Sequence, residues 1–168
     1  MSGGRVLLDE WRGTLADYLQ DRMKVHLFCT GNPLRSDDAV GIYIVDMLRR
    51  KYGRRLPGKV VLHRYSPSPE YEMSRVDGED GIVVFDALDA GGEPGSIVCA
   101  RLSDTRYSFF ATHNMPLRLI PSLSTRTDSI LIVGVQPANM EVGYELTPRV
   151  RVAADYIVDA VAEMEGVI

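Results

Sequence analysis

A chain of 168 residues holds one domain with a full core and is short for two. Its composition, 45% hydrophobic and 25% charged, is that of a soluble globular protein. The net charge of −4, with acids and bases mixed along the chain, leaves no basic stripe for nucleic acid. No apolar run approaches the roughly 20 residues of a membrane span. Asp9, Glu10 and Arg12 come too early for a signal-peptide core, so the cytoplasm is the expected compartment.

Residues 5–23 place Leu8, Trp11, Leu15, Tyr18 and Leu19 at helical spacing, which predicts an amphipathic N-terminal extension (1–23) ahead of the main domain (24–168). "KVHLFCTG", from Lys24, suits a buried strand. "TGNPLRSDDAVG", Thr30 to Gly41, then leads through a turn and two adjacent acids into a helix. In that helix Val40, Ile44, Met47 and Leu48 share a face, Arg49, Arg50 and Lys51 suit the C-terminal dipole, and Gly53 fits the stop. "KVVLHRYS" (59–66) reads as a second strand and "SPSPEYEMSRV" as a loop entering a short helix. "GIVVFDAL" (81–88) is apolar nearly throughout, as expected for a strand buried on both faces.

After the turn "GGEPGS", the run "SIVCARL" is expected to pair beside that third strand as a hairpin. "ATHNMPLRLIPSL" carries a loop into a helix that can start at Pro116. "DSILIVGVQP" (128–137) is another strand, and "TPRVRVAADYIVDAVAEME" a closing helix with Thr147 as N-cap and Pro148 in its first turn. The alternation implies a single three-layer α/β domain. Its sheet should be twisted and mostly parallel, with helices on both faces, an edge hairpin strand and the N-terminal helix added. Cys29 and Cys99 lie inside apolar runs and are expected as buried free thiols.

In open sheets of this kind, sites form beyond the C-terminal strand ends where strand order reverses. An order beginning 2-1-3 would set Asp37 or Asp38 across a cleft from Asp86 or Asp89, with His113 of "ATHNMPL" reaching the same rim. Two carboxylates and an imidazole suit a divalent metal with open positions. Each member also has a plainer reading. Asp37 and Asp38 favour a helix N-terminus, His113 could cap a helix, and His26 and His63, inside strand runs, are expected as satisfied structural histidines. GxSxG and HExxH motifs are absent, and two aspartates at a helix start would repel a phosphate. Electrostatics there favours a cation.

Four motifs, "GNPLRSDDAVG", "VVFDALDAGGEPGSI", "THNMPLRLI" and "ILIVGVQP", occur in this order in the hydrogenase maturation endopeptidases, which the chain resembles over roughly residues 24–165. "THNMPL" and the "SPSPE" loop resemble most the branch serving formate-hydrogenlyase-type and related group 4 hydrogenases. The resemblance implies removal of a C-terminal extension from the large-subunit precursor of a nickel-iron hydrogenase, and a twisted sheet flanked by helices. It implies metal ligation by Asp38, Asp86 and His113. The nickel would be supplied by the substrate, so that the isolated protein is metal-free or holds an adventitious divalent ion. Asp38 or Asp37 is the candidate catalytic base, and Asn32 and Glu70 are the candidates for holding substrate, although Asn32 could equally hold its turn. A monomer suffices for a single precursor. The competing readings are a nickel-dependent checkpoint that binds the precursor without cutting it, and a nucleotide-binding α/β protein.

Overall fold

The computed structural model describes residues 3–104, 108–109 and 125–168. The apolar runs become β1 (Val25–Cys29), β2 (Val60–Leu62), β3 (Gly81–Asp89), β4 (Ile97–Arg101) and β6 (Ile130–Val135), with a two-residue β5 (Ser108–Phe109) between the last two. The main sheet runs β2-β1-β3-β6-β4, with its first four members parallel and β4 antiparallel at the edge. β5 pairs antiparallel with the end of β3. β3 and β6 occupy the middle and are buried along almost their whole length, so their sequences are continuously apolar rather than alternating.

The expected hairpin beside β3 does not form. β3 is already flanked by β1 and by β6, which pairs with it from Ile82↔Ile130 to Ala87↔Val135. β4 instead crosses to the free side of β6, where Ile97 lies opposite Val135 and Arg101 opposite Leu131.

Helices α1 (Gly3–Gln20), α2 (Val40–Tyr52) and, at the end of the chain, α4 (Pro148–Met164) cover one face, and the short α3 (Pro69–Ser74) sits on the other. The strand period of two divides the core accordingly. Val83, Phe85 and Ala87 join Leu27 and Val133 in the larger cluster under three helices. Ile82 and Val84 join Phe28, Ile132 and Met73 of α3 in the smaller one. The N-terminal helix belongs to the larger cluster through Leu15 and Leu19, and its Trp11 meets Tyr156 of α4 edge-on at 5.6 Å. The Tyr18 hydroxyl donates to the Ser129 carbonyl at 2.5 Å and accepts from the Ile82 N–H at 2.9 Å.

His26 and His63 have partners, as expected of structural histidines. His26 Nε2 is 3.0 Å from Asp80 Oδ2, His26 Nδ1 is 2.8 Å from His63 Nε2, and His63 Nδ1 is 3.5 Å from Glu72 Oε2 of α3. The His63 ring stacks on Phe28 at 4.0 Å, and its pKa is lowered, chiefly by burial. No helix among the described residues is long and apolar enough to cross a membrane.

Helix α2 makes the tightest approach to the sheet near the rim. A Cβ at Gly41 would lie 2.1 Å from the Phe85 carbonyl oxygen, so the helix rests directly on the backbone of β3. Gly41→Ala is therefore expected to lift α2 from the sheet at an overpacking cost of about 1–3 kcal/mol, despite alanine's better helix propensity. Thermal unfolding reads this as a melting temperature lowered by roughly 2–4 °C per kcal/mol. An unchanged melting temperature would contradict the close approach.

Candidate active site

The order β2-β1-β3 sends the chain from β1 to one edge and back to the other side of β1, which opens a crevice at the C-terminal ends of β1 and β3. Pairing continues one step past β1, where the Thr30 N–H donates to the Phe85 carbonyl at 3.1 Å. Thr30 and Asp86 thus sit side by side at the rim. Asp86 Oδ1 accepts from the Ala87 N–H at 2.8 Å, and the Thr30 hydroxyl donates to the same carboxyl group. These bonds do not offset burial. The Asp86 pKa is pushed up to about 8 by desolvation, with the nearby charge of Asp38 raising it further.

Asp38 comes to this rim through a compact turn. Ser36–Ala39 forms a 3-10 turn before α2, and Ser36 takes a positive φ of 46°. Gly31 has φ 136°, and a Cβ there would lie 2.0 Å from the Asp38 carbonyl oxygen, so the strand end and the turn approach as only glycine allows. The Asp38 side chain is wholly buried, and neither carboxylate oxygen has a hydrogen-bond partner among the described residues. Burial raises its pKa to about 6, against the opposing pull of Arg35 and of the Asn32 N–H, which faces it outside hydrogen-bond geometry. A buried carboxylate without partners is costly unless something completes it.

Asp37, one residue earlier, is equally buried and fully engaged. Its Oδ2 accepts from the Ala138 and Asn139 N–H groups, both at 2.9 Å, and its Oδ1 from the Thr147 N–H at 2.8 Å. The Thr147 hydroxyl also donates to this carboxylate, 2.9 Å from Oδ2. Thr147 precedes α4 as expected, but its side chain makes no capping bond to the helix because Asp37 has claimed it. The two loops are sewn together further by Ser36 N–H to Gly143 O, Gly143 N–H to Leu34 O and Arg35 Nε to Met140 O.

Of the remaining sequence candidates, Asn32 lies in the same loop, where its Oδ1 accepts from the Leu34 N–H at 2.9 Å and closes an Asx turn. Glu70 is in the first turn of α3 and makes no hydrogen bond or ion pair among the described residues. Asp89 closes its own turn by accepting from the Gly91 N–H at 3.0 Å. His113 lies outside the described residues. Among those described, no three His, Cys, Asp or Glu side chains are gathered as a metal site. Both cysteines are free, and burial pushes each thiol up to about 12, so neither is a ready nucleophile at neutral pH. Sequence reasoning missed Thr30, whose only signal was its place directly after an apolar strand and before Gly31.

The family model described as hydrogenase maturation protease matches residues 42–164. The chain belongs to this family. The hydrogenase maturation protease match takes in Asp86 and His113 and begins just beyond Asp38. Among curated relatives, the hydrogenase 3 maturation protease of Escherichia coli K12 is 27% identical over 144 residues, covering 83% of this chain and 90% of its own. The hydrogenase expression/formation protein HoxM of Azotobacter vinelandii is 27% identical over 146 residues, covering 77% of this chain and 70% of its own. Among solved structures, the NiFe hydrogenase maturation protease HycI of Thermococcus kodakarensis KOD1 superposes with a TM-score of 0.72 at 23% identity, over 91% of this chain and 99% of that one. The endopeptidase HycI of Escherichia coli gives 0.61 at 26% identity, over 86% and 90%. This hydrogenase maturation protease is accordingly a peptidase with the fold of its relatives.

The two aspartates predict opposite mutational outcomes. Asp37→Ala strands several donors between the loops and is expected to destabilise the protein by about 3 kcal/mol or more, seen as a lowered denaturation midpoint. For Asp86 the folded pKa stands above the ordinary 3.8. The native state therefore binds more protons than the unfolded one between about pH 4 and pH 8, and stability falls as pH rises through that window. Asp86→Asn, which keeps an acceptor for Ala87, is expected to raise the melting temperature by roughly 5 °C or more at pH 8 and much less at pH 4. A gap independent of pH would refute the raised pKa.

Proposed function

We propose that the protein removes the C-terminal extension of a nickel-iron hydrogenase large-subunit precursor after nickel insertion, and that it recognises the nickel held by that substrate. The observation that carries this reading is Asp38, a buried carboxylate at a topological switch point, next to Asp86, with both oxygens unpartnered among the described residues. A divalent cation supplies what this pair lacks, because it accepts lone pairs from both carboxylates and removes the penalty of their proximity. An O/N donor set binds nickel only modestly by itself. Thiolates on the precursor would hold the ion, and Asp38, Asp86 and His113 would complete its coordination.

In the hydrolytic step, nickel fixes the precursor and polarises the scissile carbonyl while a carboxylate accepts a proton from the attacking water. Asp37 has committed its oxygens to the 138–147 segment, which leaves Asp38 as the candidate base. Asn32 and Glu70 are assigned to holding the substrate chain. The resemblance of "THNMPL" to the formate-hydrogenlyase branch supports a group 4 hydrogenase as the source of the precursor. A monomer in the cytoplasm is sufficient for this task, in keeping with two free cysteines.

Incubation with nickel-loaded and nickel-free precursor, followed by intact-mass measurement, is expected to show loss of the C-terminal peptide from the loaded form alone. An unchanged mass in both arms would overturn the reading. Asp38→Ala, Asp86→Ala and His113→Ala are each expected to abolish processing while a cooperative melt persists. Normal processing by any of them removes that residue from the site.

A further inference from the structure

A groove of about 510 Å³ starts at Ala39, the residue after Asp38, and is lined along α2 by Ile42, Tyr43, Asp46 and Arg49. These positions form one stripe at helical spacing. The stripe starts at the residue following Asp38 and extends about 15 Å, the reach of four or five extended residues. Arg64 and Tyr65, from the segment after β2, and Tyr144, from the segment after β6, wall it, and α4 contributes Arg151.

The charges in the groove are unevenly matched. Asp46 is covered by Arg49 and Arg50. Arg151 lies over the Tyr43 ring at 5.6 Å, and the hydroxyl of that tyrosine donates to Asp155 at 2.6 Å. Neither Arg64 nor Arg151 has an acidic ion-pair partner among the described residues, and the groove's arginines, Arg49, Arg64 and Arg151, outnumber its lining acids, Asp46 and Glu145. On a chain of net charge −4, this is a local excess of cation. Tyr144 is 85% and Tyr65 37% exposed, which leaves two amphipathic rings open at its walls.

We propose that this groove binds an extended peptide bearing acidic side chains between apolar ones, namely the stretch of the substrate polypeptide adjoining its scissile bond. The source of the peptide rests on the proposed cleavage reaction. The groove chemistry does not. Guanidinium groups of Arg64 and Arg151 meet carboxylates in a forked geometry that lysine cannot reproduce, the tyrosine rings take the apolar side chains, and the direction of the groove leads the chain from Asp38 along α2.

Fluorescence anisotropy with a fluorescein-labelled peptide of about six residues alternating Leu and Glu tests this, with the Leu/Lys peptide of equal length as control. The Glu peptide is expected to bind, more weakly as salt rises. Arg64→Glu with Arg151→Glu should weaken it at least about tenfold and shift preference to the Lys peptide. Arg64→Gln, a milder change, should lose part of the affinity with an unaltered melt. Equal binding of both peptides, no binding up to about 1 mM, or an affinity unmoved by charge reversal would overturn the groove. Asp38→Ala is expected to keep peptide binding while losing processing. An unchanged precursor mass with the unmutated protein, with Glu-peptide binding intact, would sink the cleavage reading and leave the groove standing.

Discussion

The buried carboxylate of Asp37 is the constraint on which the site depends. Its bonds reach Ala138, Asn139 and Thr147, over 100 positions away in sequence, and fasten the turn after β1 to the segment between β6 and α4. The side chain can stay buried there because its oxygens are met at short range by backbone N–H groups and one hydroxyl. With the backbone bonds between Ser36, Leu34 and Gly143, that tie holds the turn carrying Asp38 against the rim. The rigidity needed at the rim is thus supplied by its neighbour one residue earlier.

Two adjacent aspartates, equally hidden, therefore occupy opposite electrostatic states. One has a complete shell of donors. The other has no donor in bonding geometry among the described residues, and shares its surroundings with Asp86, whose own bonds to Thr30 and Ala87 leave it short of compensation. Folding alone does not favour such a pair. It persists because α2 rests on β3 through Gly41 and because Gly31 lets the strand end pass under the turn. Local cost concentrated where two strands diverge, within an otherwise well-packed sheet, is how a binding site differs from a core defect.

Much of this is legible in the sequence. Continuous apolar runs mark the central strands because both their faces are covered, and the order of elements implies the parallel sheet and its switch point. Asp86 stands out as an acid ending an apolar strand. The partner of β4 is not legible, because a short strand after a tight turn carries no local sign that the nearer edge is already occupied. Nor is the division of labour between Asp37 and Asp38, since nothing near "SDDA" announces donors that arrive from Ala138 onward. Thr147 is legible as the residue before α4 but not in its bonding, because its hydroxyl is drawn to a carboxylate distant in sequence. Thr30 is silent for the same reason, as its meaning lies in its neighbour across the sheet.

The histidine pair beneath α3 has a direction. Asp80 can only accept, so His26 Nε2 carries a proton. With neutral rings, His26 Nδ1 then accepts from His63 Nε2, and the two available protons are spent on the two short contacts. What remains is His63 Nδ1, a bare lone pair turned toward Glu72 at 3.5 Å, acceptor against acceptor. Both tautomers are thereby fixed by a carboxylate at the foot of the sheet, and burial of His63 opposes the third proton that would draw Glu72 in. α3 is accordingly fastened mainly through Met73, its buried apolar anchor, with Glu72 standing 3.5 Å from His63.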